Sequence, residues 1–351
     1  MKHQNTAETY FHSAQHNPIH CRHLVVRGRE FGSWVIADPL RTGSMGVFEM
    51  ISDRIAGLQR AVFNTIGWSE VDLNGRHAVV VGGGRGIGYS LVKLLVEAGC
   101  IVHVIDVHQK SLTKIETEFQ FLKTKSVRTY TVDVADEQSF EDAANKIKVD
   151  IAPDFISILV HSVAVVNNCS VDELSPEQLL TIFRVNLFSW FACMRNFLPE
   201  MKTRKDGHIV TMSSIVAYGA GSNASDYCAT KSALLSVNNC LRLELIRDGL
   251  SNAIHTTIVH PYLIRTGLFA GVHLRLSWLV SELLPGDVAG AVFDAIVYRR
   301  QSVFIPNYFS FLVPLSTVLP VVIQDCVSRV TGAVDCMRTF RGRNSKRERR
   351  R

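Results

Sequence analysis

His77-Ala78-Val79-Val80-Val81-Gly82-Gly83-Gly84-Arg85-Gly86-Ile87-Gly88 runs from an apolar, β-branched segment into a cluster of glycines. The apolar run predicts a buried strand over 77–81, and the spacing that follows predicts a helix over 87–98. Glycines between a strand and a helix allow a tight turn. They also let the backbone approach a pyrophosphate at the helix N-terminus, where amide dipoles favour negative charge. A glycine cluster alone is a weak signal, but Asp106 ends a second apolar run eighteen residues beyond Gly88. A carboxylate there accepts hydrogen bonds from the adenosine ribose and repels a 2′-phosphate, which favours NAD. Arg85 pulls toward NADP, because a guanidinium in this loop suits that phosphate. NAD is the expectation and NADP the alternative.

Working outward, short apolar runs alternate with helical stretches. Strands are expected at 77–81, 101–105, 128–132, 156–161, 208–212, 255–260 and near 303–305. Helices are expected at 87–98, 112–122, 140–147, 179–201 and 229–247. Strands that read as continuous apolar runs, with helices between them, mean a parallel sheet covered on both faces. The fold class is therefore α/β: a single doubly wound Rossmann domain over 73–305, with no internal repeat.

A second constellation is Tyr227-Cys228-Ala229-Thr230-Lys231. Positions i and i+4 of a helix share a face. A free tyrosine, with a pKa of about 10, is a poor acid–base catalyst at neutral pH. A neighbouring ammonium, together with the positive charge of an oxidised nicotinamide, is expected to lower that value. Ser214, thirteen residues before Tyr227 at the end of a strand, is placed to hydrogen-bond a substrate oxygen.

Taken together these residues resemble the short-chain dehydrogenase/reductase family over roughly 73–305. Gly82, Gly86, Gly88, Asp106, Asp133-Val134, Asn186, Ser214, Tyr227 and Lys231 fall in family order and spacing. The resemblance implies that Tyr227 is the general acid/base and Ser214 orients the carbonyl or hydroxyl. Lys231 would hold the ribose and tune Tyr227, and Asn186 would anchor a water linking Lys231 to solvent. It places Asp133 at the adenine, and Ile264 and Thr266 at the carboxamide and phosphates; Arg85, Ile87 and Val134 complete the cofactor set. It also allows a homo-oligomer. Two positions depart from the family: His161-Ser162-Val163-Ala164 stands where Asn-Asn-Ala-Gly is usual, and Val81 replaces a threonine. These places should meet across adjacent strands, exchanging polar contacts for apolar packing, with the missing glycine crowding the cofactor. Within the family, 207–210, 261–269 and 319–337 are most like the membrane-associated branch of epidermal retinol dehydrogenases and 17-beta-hydroxysteroid dehydrogenase 11-like proteins.

A substrate lid is expected over 262–285. Leu263, Leu268, Phe269, Val272, Leu276 and Trp278 are among its apolar residues, and Arg265, Arg275 and Glu282 are its charges within 262–284. Such a lid suits a lipophilic alcohol, aldehyde or ketone, at ~0.8 kcal/mol per buried methylene, and makes sugars and small hydrophilic acids poor candidates. The expected activity is hydride transfer between NAD and a retinol-like substrate first, a hydroxysteroid second. Two rivals stand beside it. One is a membrane or lipid-droplet scaffold that kept the fold, which the change at 161–164 favours and the intact Asn186/Ser214/Tyr227/Lys231 set opposes. The other is an NADP-linked reductase of keto-lipids, which Arg85 permits.

The chain has 351 residues, 47% of them hydrophobic and 20% charged, which excludes wholesale disorder. Its eight cysteines include no C-x-x-C pair, so a reduced, cytosol-facing compartment is expected rather than a disulfide scaffold. The net charge is +6, but residues 338–351 hold eight basic residues and one acid, leaving the remainder at −1. No basic face for nucleic acid follows; an anionic lipid surface is the expected acidic partner. Residues 1–45 read as a polar arm with five histidines, among which no carboxylate or second cysteine completes a metal site; Met45 is an alternative start. Apolar residues at steps of three and four from Val47 to Ile66 predict an amphipathic helix within 46–72, packed on the body or lying on a membrane. Residues 301–324 carry no charge but include Pro306, Pro314 and Pro320, so 306–340 is expected to form broken apolar pieces at a bilayer interface, followed by a basic tail at 341–351. The combined expectation is peripheral attachment to the endoplasmic reticulum or a lipid droplet, with the catalytic domain facing the cytosol.

Overall fold

The computed structural model describes residues 70–120, 126–272, 275 and 282–342. The arm, the amphipathic segment at 47–66, the centre of the lid at 276–281 and the basic tail beyond 342 lie outside the described residues.

The run His77–Val81 forms β1, buried at every position. A tight glycine turn feeds α1 (Gly86–Glu97). The chain then alternates β2 (Ile101–Asp106), α2 (Gln109–Phe119), β3 (Val127–Thr131), α3 (Glu137–Ile151) and β4 (Ile156–His161). In the second half α4 (Pro176–Phe183), α5 (Ser189–Arg204), β5 (Gly207–Met212), α6 (Ser225–Arg247), β6 (Ile254–Pro261), α7 (Pro285–Val297) and β7 (Ser302–Ile305) complete the domain. The sheet has seven parallel strands among the described residues, in the order β3-β2-β1-β4-β5-β6-β7. The order reverses between β1 and β4, and a doubly wound sheet opens its binding crevice at that point, beyond the carboxyl ends of the strands. The expected strands agree with the observed ones to within a residue at each end.

Alternation along each strand divides the core. Ala78, Val80, Val102, Val104 and Val160 face α1, α2 and α7, where Leu91, Leu112 and Val292 meet them. Val79, Val81, Ile105, Leu159 and Ile209 face α3, α5 and α6, with Phe140, Phe197 and Leu241. Two covered faces explain why the strands read as unbroken apolar runs.

The helix expected over 179–201 is interrupted. A π-helical turn, Arg184–Phe188, separates α4 from α5 and carries Asn186. One extra residue in a turn is invisible to a period-3.6 reading, and such bulges recur at functional sites. Beyond β7, α8 (Phe309–Thr317) and α9 (Val321–Thr331) are short, with Pro314 inside α8 and Pro320 capping α9. Among the described residues no helix is long and apolar enough to cross a membrane. The extension is not merely appended, because Phe309 stacks on Tyr262 at 5.2 Å and the segment after α9 returns to the lid.

The sheet also buries histidines. His77 Nδ1 lies 3.1 Å from His103 Nε2, and His208 Nε2 lies 2.7 Å from Thr257 Oγ1. Burial depresses His103, His161 and His208 to about 3 and His260 to about 4. These four are neutral in the folded chain, whereas the unfolded chain takes up protons below a pH of about 6.5. The stability they confer is complete above that pH and falls as pH drops from 6.5 toward 4, by at most ~1.4 kcal/mol per pH unit for each histidine. Urea midpoints are expected to fall steadily between pH 7 and pH 5; a flat profile across that window contradicts the neutral assignment.

Candidate active site

The site is assembled where β1, β2, β4 and β5 end. Gly82 has a φ of +82°, and a Cβ there would stand 2.8 Å from Val163 Cα; a Cβ on Gly88 would collide with the Gly82 carbonyl oxygen. Only glycine allows this turn to close against both the β4 loop and its own helix. The first turn of α1 has no side-chain cap, since Arg85 is the N-cap residue and makes no such bond. Its amide groups therefore face the crevice as donors for an anion.

Asp106, at the end of β2, is 8% exposed. Its Oδ2 accepts from Gly84 N at 3.0 Å and its Oδ1 from His108 N at 2.9 Å. Arg85 Nη2 stands 4.0 Å from Asp106 Oδ1. The two residues that argue for different nicotinamides are thus paired with each other, and the carboxylate is the more firmly held. Thr266 arrives from beyond β6, with its methyl 3.5 Å from where a Cβ on Gly86 would sit. Ile264 is buried and bridges Leu283 across the lid. Asp133 is exposed, its Oδ1 accepting from Ala135 N at 2.9 Å, while Val134 beside it is buried. Ile87 is half-buried in the first turn of α1.

On the other side of the crevice α6 is stitched to the end of β5 at a single residue. Lys231 Nζ donates to Met212 O at 2.8 Å, and Ser213 Oγ donates to Lys231 O at 2.9 Å. The next residue, Ser214, donates to Pro261 O at 3.4 Å and accepts from Val216 N at 3.3 Å. Lys231 Nζ lies 5.6 Å from the centre of the Tyr227 ring, so the i and i+4 side chains do share a face. Tyr227, Ser214 and Lys231 are all buried, at 6%, 9% and 2% exposure. Asn186 is fully buried; its Oδ1 accepts from Val165 N at 2.8 Å, and its Nδ2 donates to Val165 O at 2.9 Å and to Thr230 Oγ1 at 3.1 Å. Both amide hydrogens are thus committed to protein acceptors, tying the β4 loop to α6 one residue before Lys231.

This donor set fits a nicotinamide dinucleotide. The glycine turn presents uncapped amides for phosphate, and Asp106 offers acceptor lone pairs beyond the two backbone bonds it makes. Among the described residues the Lys231 ammonium has one hydrogen-bond acceptor, which leaves two donors for ribose hydroxyls.

In the protein alone, burial pushes Tyr227 above the usual tyrosine value and lowers Lys231 to about 7; the acidified phenol expected from the sequence needs the charge of an oxidised nicotinamide as well as the lysine. Burial works against both charged forms, the phenolate and the ammonium. The departure at β4 also differs from the apolar substitution expected. Val81 does register with His161, but His161 keeps a polar partner, Ser189 Oγ at 2.7 Å from Nε2. The side chain of Val163 packs with the core on the α3–α5 side of the sheet.

Three features escaped the sequence. Asp226, just before Tyr227, is a buried carboxylate that accepts from Asn167 Nδ2 at 2.7 Å and so ties the β4 loop to the start of α6. His161 holds the fully buried place between β4 and α5. The segment 332–342 lies over the lid, its only sequence signal being Cys336-Met337 and Phe340 between two glycines.

A family model described as short chain dehydrogenase matches residues 76–275. The curated relative "Short-chain dehydrogenase/reductase 3" of Homo sapiens is 29% identical over 273 residues, covering 78% of this chain and 88% of that protein. "Epidermal retinol dehydrogenase 2" of Mus musculus is 24% identical over 289 residues, covering 82% and 93%. Among solved structures, a short chain dehydrogenase/reductase from Burkholderia phymatum in complex with NAD superposes with a TM-score of 0.64 at 19% identity, covering 72% of this chain and 96% of that one.

Proposed function

The chain belongs to the short-chain dehydrogenase family and is an NAD(P)-linked oxidoreductase, and from that premise we propose that it moves hydride between NAD and a lipophilic alcohol, retinol-like first and hydroxysteroid second. The observation that carries the substrate reading is the apolar cluster around the reactive phenol. Tyr227 packs with Ile182, Cys228, Val272 and Met337, and Phe269 meets its ring edge-on at 5.5 Å. A hydrophilic substrate would leave polar groups unpaired there, whereas a polyene or a steroid ring system loses only its contact with water. The printed name of the mouse relative supports retinol as the first choice.

In oxidation, Tyr227 as phenolate takes the hydroxyl proton, and in reduction it returns that proton to the carbonyl oxygen. Ser214 Oγ turns from Pro261 O to the substrate oxygen and orients it. Lys231 would hold the nicotinamide ribose with its two remaining donors, while Met212 O accepts the third. Asn186 keeps α6 and the β4 loop in register. Bound in this crevice, NAD would supply a hydride acceptor and, in its oxidised form, a positive ring that offsets the burial penalty on the phenolate.

Attachment to a membrane surface is part of the same proposal. Phe311, Leu315, Val318, Val321 and Val322 of the α8–α9 region are 58–77% exposed, and the basic residues beyond 337 follow directly. Apolar side chains beside a cationic segment suit an anionic leaflet, where each basic group adds ~1 kcal/mol.

Tyr227→Phe is expected to lower turnover of retinol by roughly a hundred- to ten-thousand-fold while leaving NAD affinity intact, measured by steady-state kinetics and nucleotide titration. Parallel loss of both assigns Tyr227 to structure instead. Asp106→Ala is expected to raise the KM for NAD at least ~10-fold more than that for NADP, since it removes the ribose acceptor and frees Arg85; an unchanged ratio removes Asp106 from the cofactor site. Phe311→Lys with Val322→Lys is expected to abolish co-sedimentation with vesicles of neutral and anionic phospholipid while detergent-solubilised turnover persists. Undiminished sedimentation moves the anchor to 47–66.

A further inference from the structure

The roof of the Tyr227 cluster comes from two parts of the chain. One is the lid after β6, with Phe269 and Val272; the other is a strap, 332–342, that follows α9 and folds as successive turns. Hydrogen bonds join the two. Arg341 N donates to Ala270 O at 2.7 Å, Thr339 Oγ1 to Gly271 O at 2.6 Å, and Arg275 N to Thr331 O at 3.1 Å; Arg275 Nη2 pairs with Asp335 Oδ2 at 2.8 Å. Gly271 has a φ of +85°, and any side chain there would collide with the Thr339 carbonyl oxygen, so lid and strap meet backbone to backbone.

The strap reaches the opposite wall as well. Cys336 Sγ lies 3.8 Å from where a Cβ on Gly221 would sit, in the loop that leads from Ser214 to Tyr227. Position 336 thus touches the wall that bears the catalytic helix, and position 339 touches the lid. Met337, between these anchors, is 4% exposed and belongs to the Tyr227 cluster. A side chain held at both flanks and buried in the same cluster as the reactive phenol is placed to limit how far a substrate extends from the reacting carbon. Methionine suits that place, because an unbranched thioether rotates aside more readily than a branched or aromatic group.

We infer that Met337 is a specificity-determining residue of this oxidoreductase, setting the length of the lipophilic alcohol that fits between the Tyr227 hydroxyl and the strap. The inference rests on the reading of the substrate as a lipophilic alcohol. Met337→Ala removes about three non-hydrogen atoms from the Tyr227 cluster and Met337→Trp adds to it; a mismatch of one methylene in an apolar pocket changes discrimination by ~10–200-fold.

The test uses the full chain in detergent and a series of saturated primary alcohols from about eight to eighteen carbons. Two quantities are measured: kcat/KM with NAD, and the affinity of each alcohol for the same proteins carrying Tyr227→Phe, by calorimetry. Relative to the unsubstituted chain, the preferred length is expected to move up by about three carbons in Met337→Ala and down in Met337→Trp. The kcat/KM ratio between alcohols three carbons apart is expected to change at least ~10-fold. A preferred length that stays fixed in both variants, or an equal loss at every length, overturns the inference. So does the absence of saturable binding by any alcohol. Alcohols that bind with a shifted preferred length but are never oxidised sustain the inference and overturn the proposed reaction instead.

Discussion

Lys231 is 2% exposed, and the carbonyl of Met212 accepts a hydrogen bond from its buried amino group. The bond fixes α6 to the end of β5, and the answering bond from Ser213 to the Lys231 carbonyl locks the register. From that one stitch the rest of the reactive geometry follows. Ser214 follows Ser213 just beyond the end of β5, and Tyr227 is one helical turn back along α6. Asn186 on its π-turn and Asp226 with Asn167 brace α6 against the β4 loop from two further points. A buried ammonium with a single acceptor would be a liability in a structural core. At the rim of a dinucleotide crevice its spare donors have an evident use.

The electrostatics change what the tyrosine–lysine pair means. In the protein alone both groups are pushed toward neutrality, the phenol upward and the amine down to about 7. On the proposed mechanism, the positive ring of an oxidised cofactor would supply the charge that favours the phenolate. The side chains packed with Tyr227 are apolar, and the strap is hydrogen-bonded to the segment that carries Phe269 and Val272. In the proposed reaction, substrate class and proton chemistry would share one cause, the burial of Tyr227.

The fold was legible because its code is local. β-branched runs of five or six residues, a glycine turn and an acid at the end of the second strand each announce themselves, and both covered faces of the sheet write continuous apolar strands. Tyr227, Lys231 and Ser214 were equally legible, since spacing on a helix and position at a strand end are sequence properties. What was not legible depends on contacts between distant segments. The π-turn at Arg184–Phe188 adds a residue where periodicity reads straight through. His161 looked like a lost polar contact until Ser189, twenty-eight residues away, supplied its partner. Residues 306–340 read as apolar pieces fit for a bilayer, and nothing in their composition tells that Met337 turns inward while Phe311 and Val322 remain outside.

On the proposed mechanism, Tyr227 becomes a competent base only when oxidised nicotinamide joins Lys231. That dependence is tested most directly by titrating tyrosinate absorbance of the full chain with and without saturating NAD, taking the difference from Tyr227→Phe to isolate this phenol. The expected midpoint lies above the ordinary value of about 10 in the free protein, shifts toward neutrality with NAD, and loses that shift in Lys231→Met. A midpoint that is the same with and without NAD, or a shift that survives removal of the lysine, contradicts it.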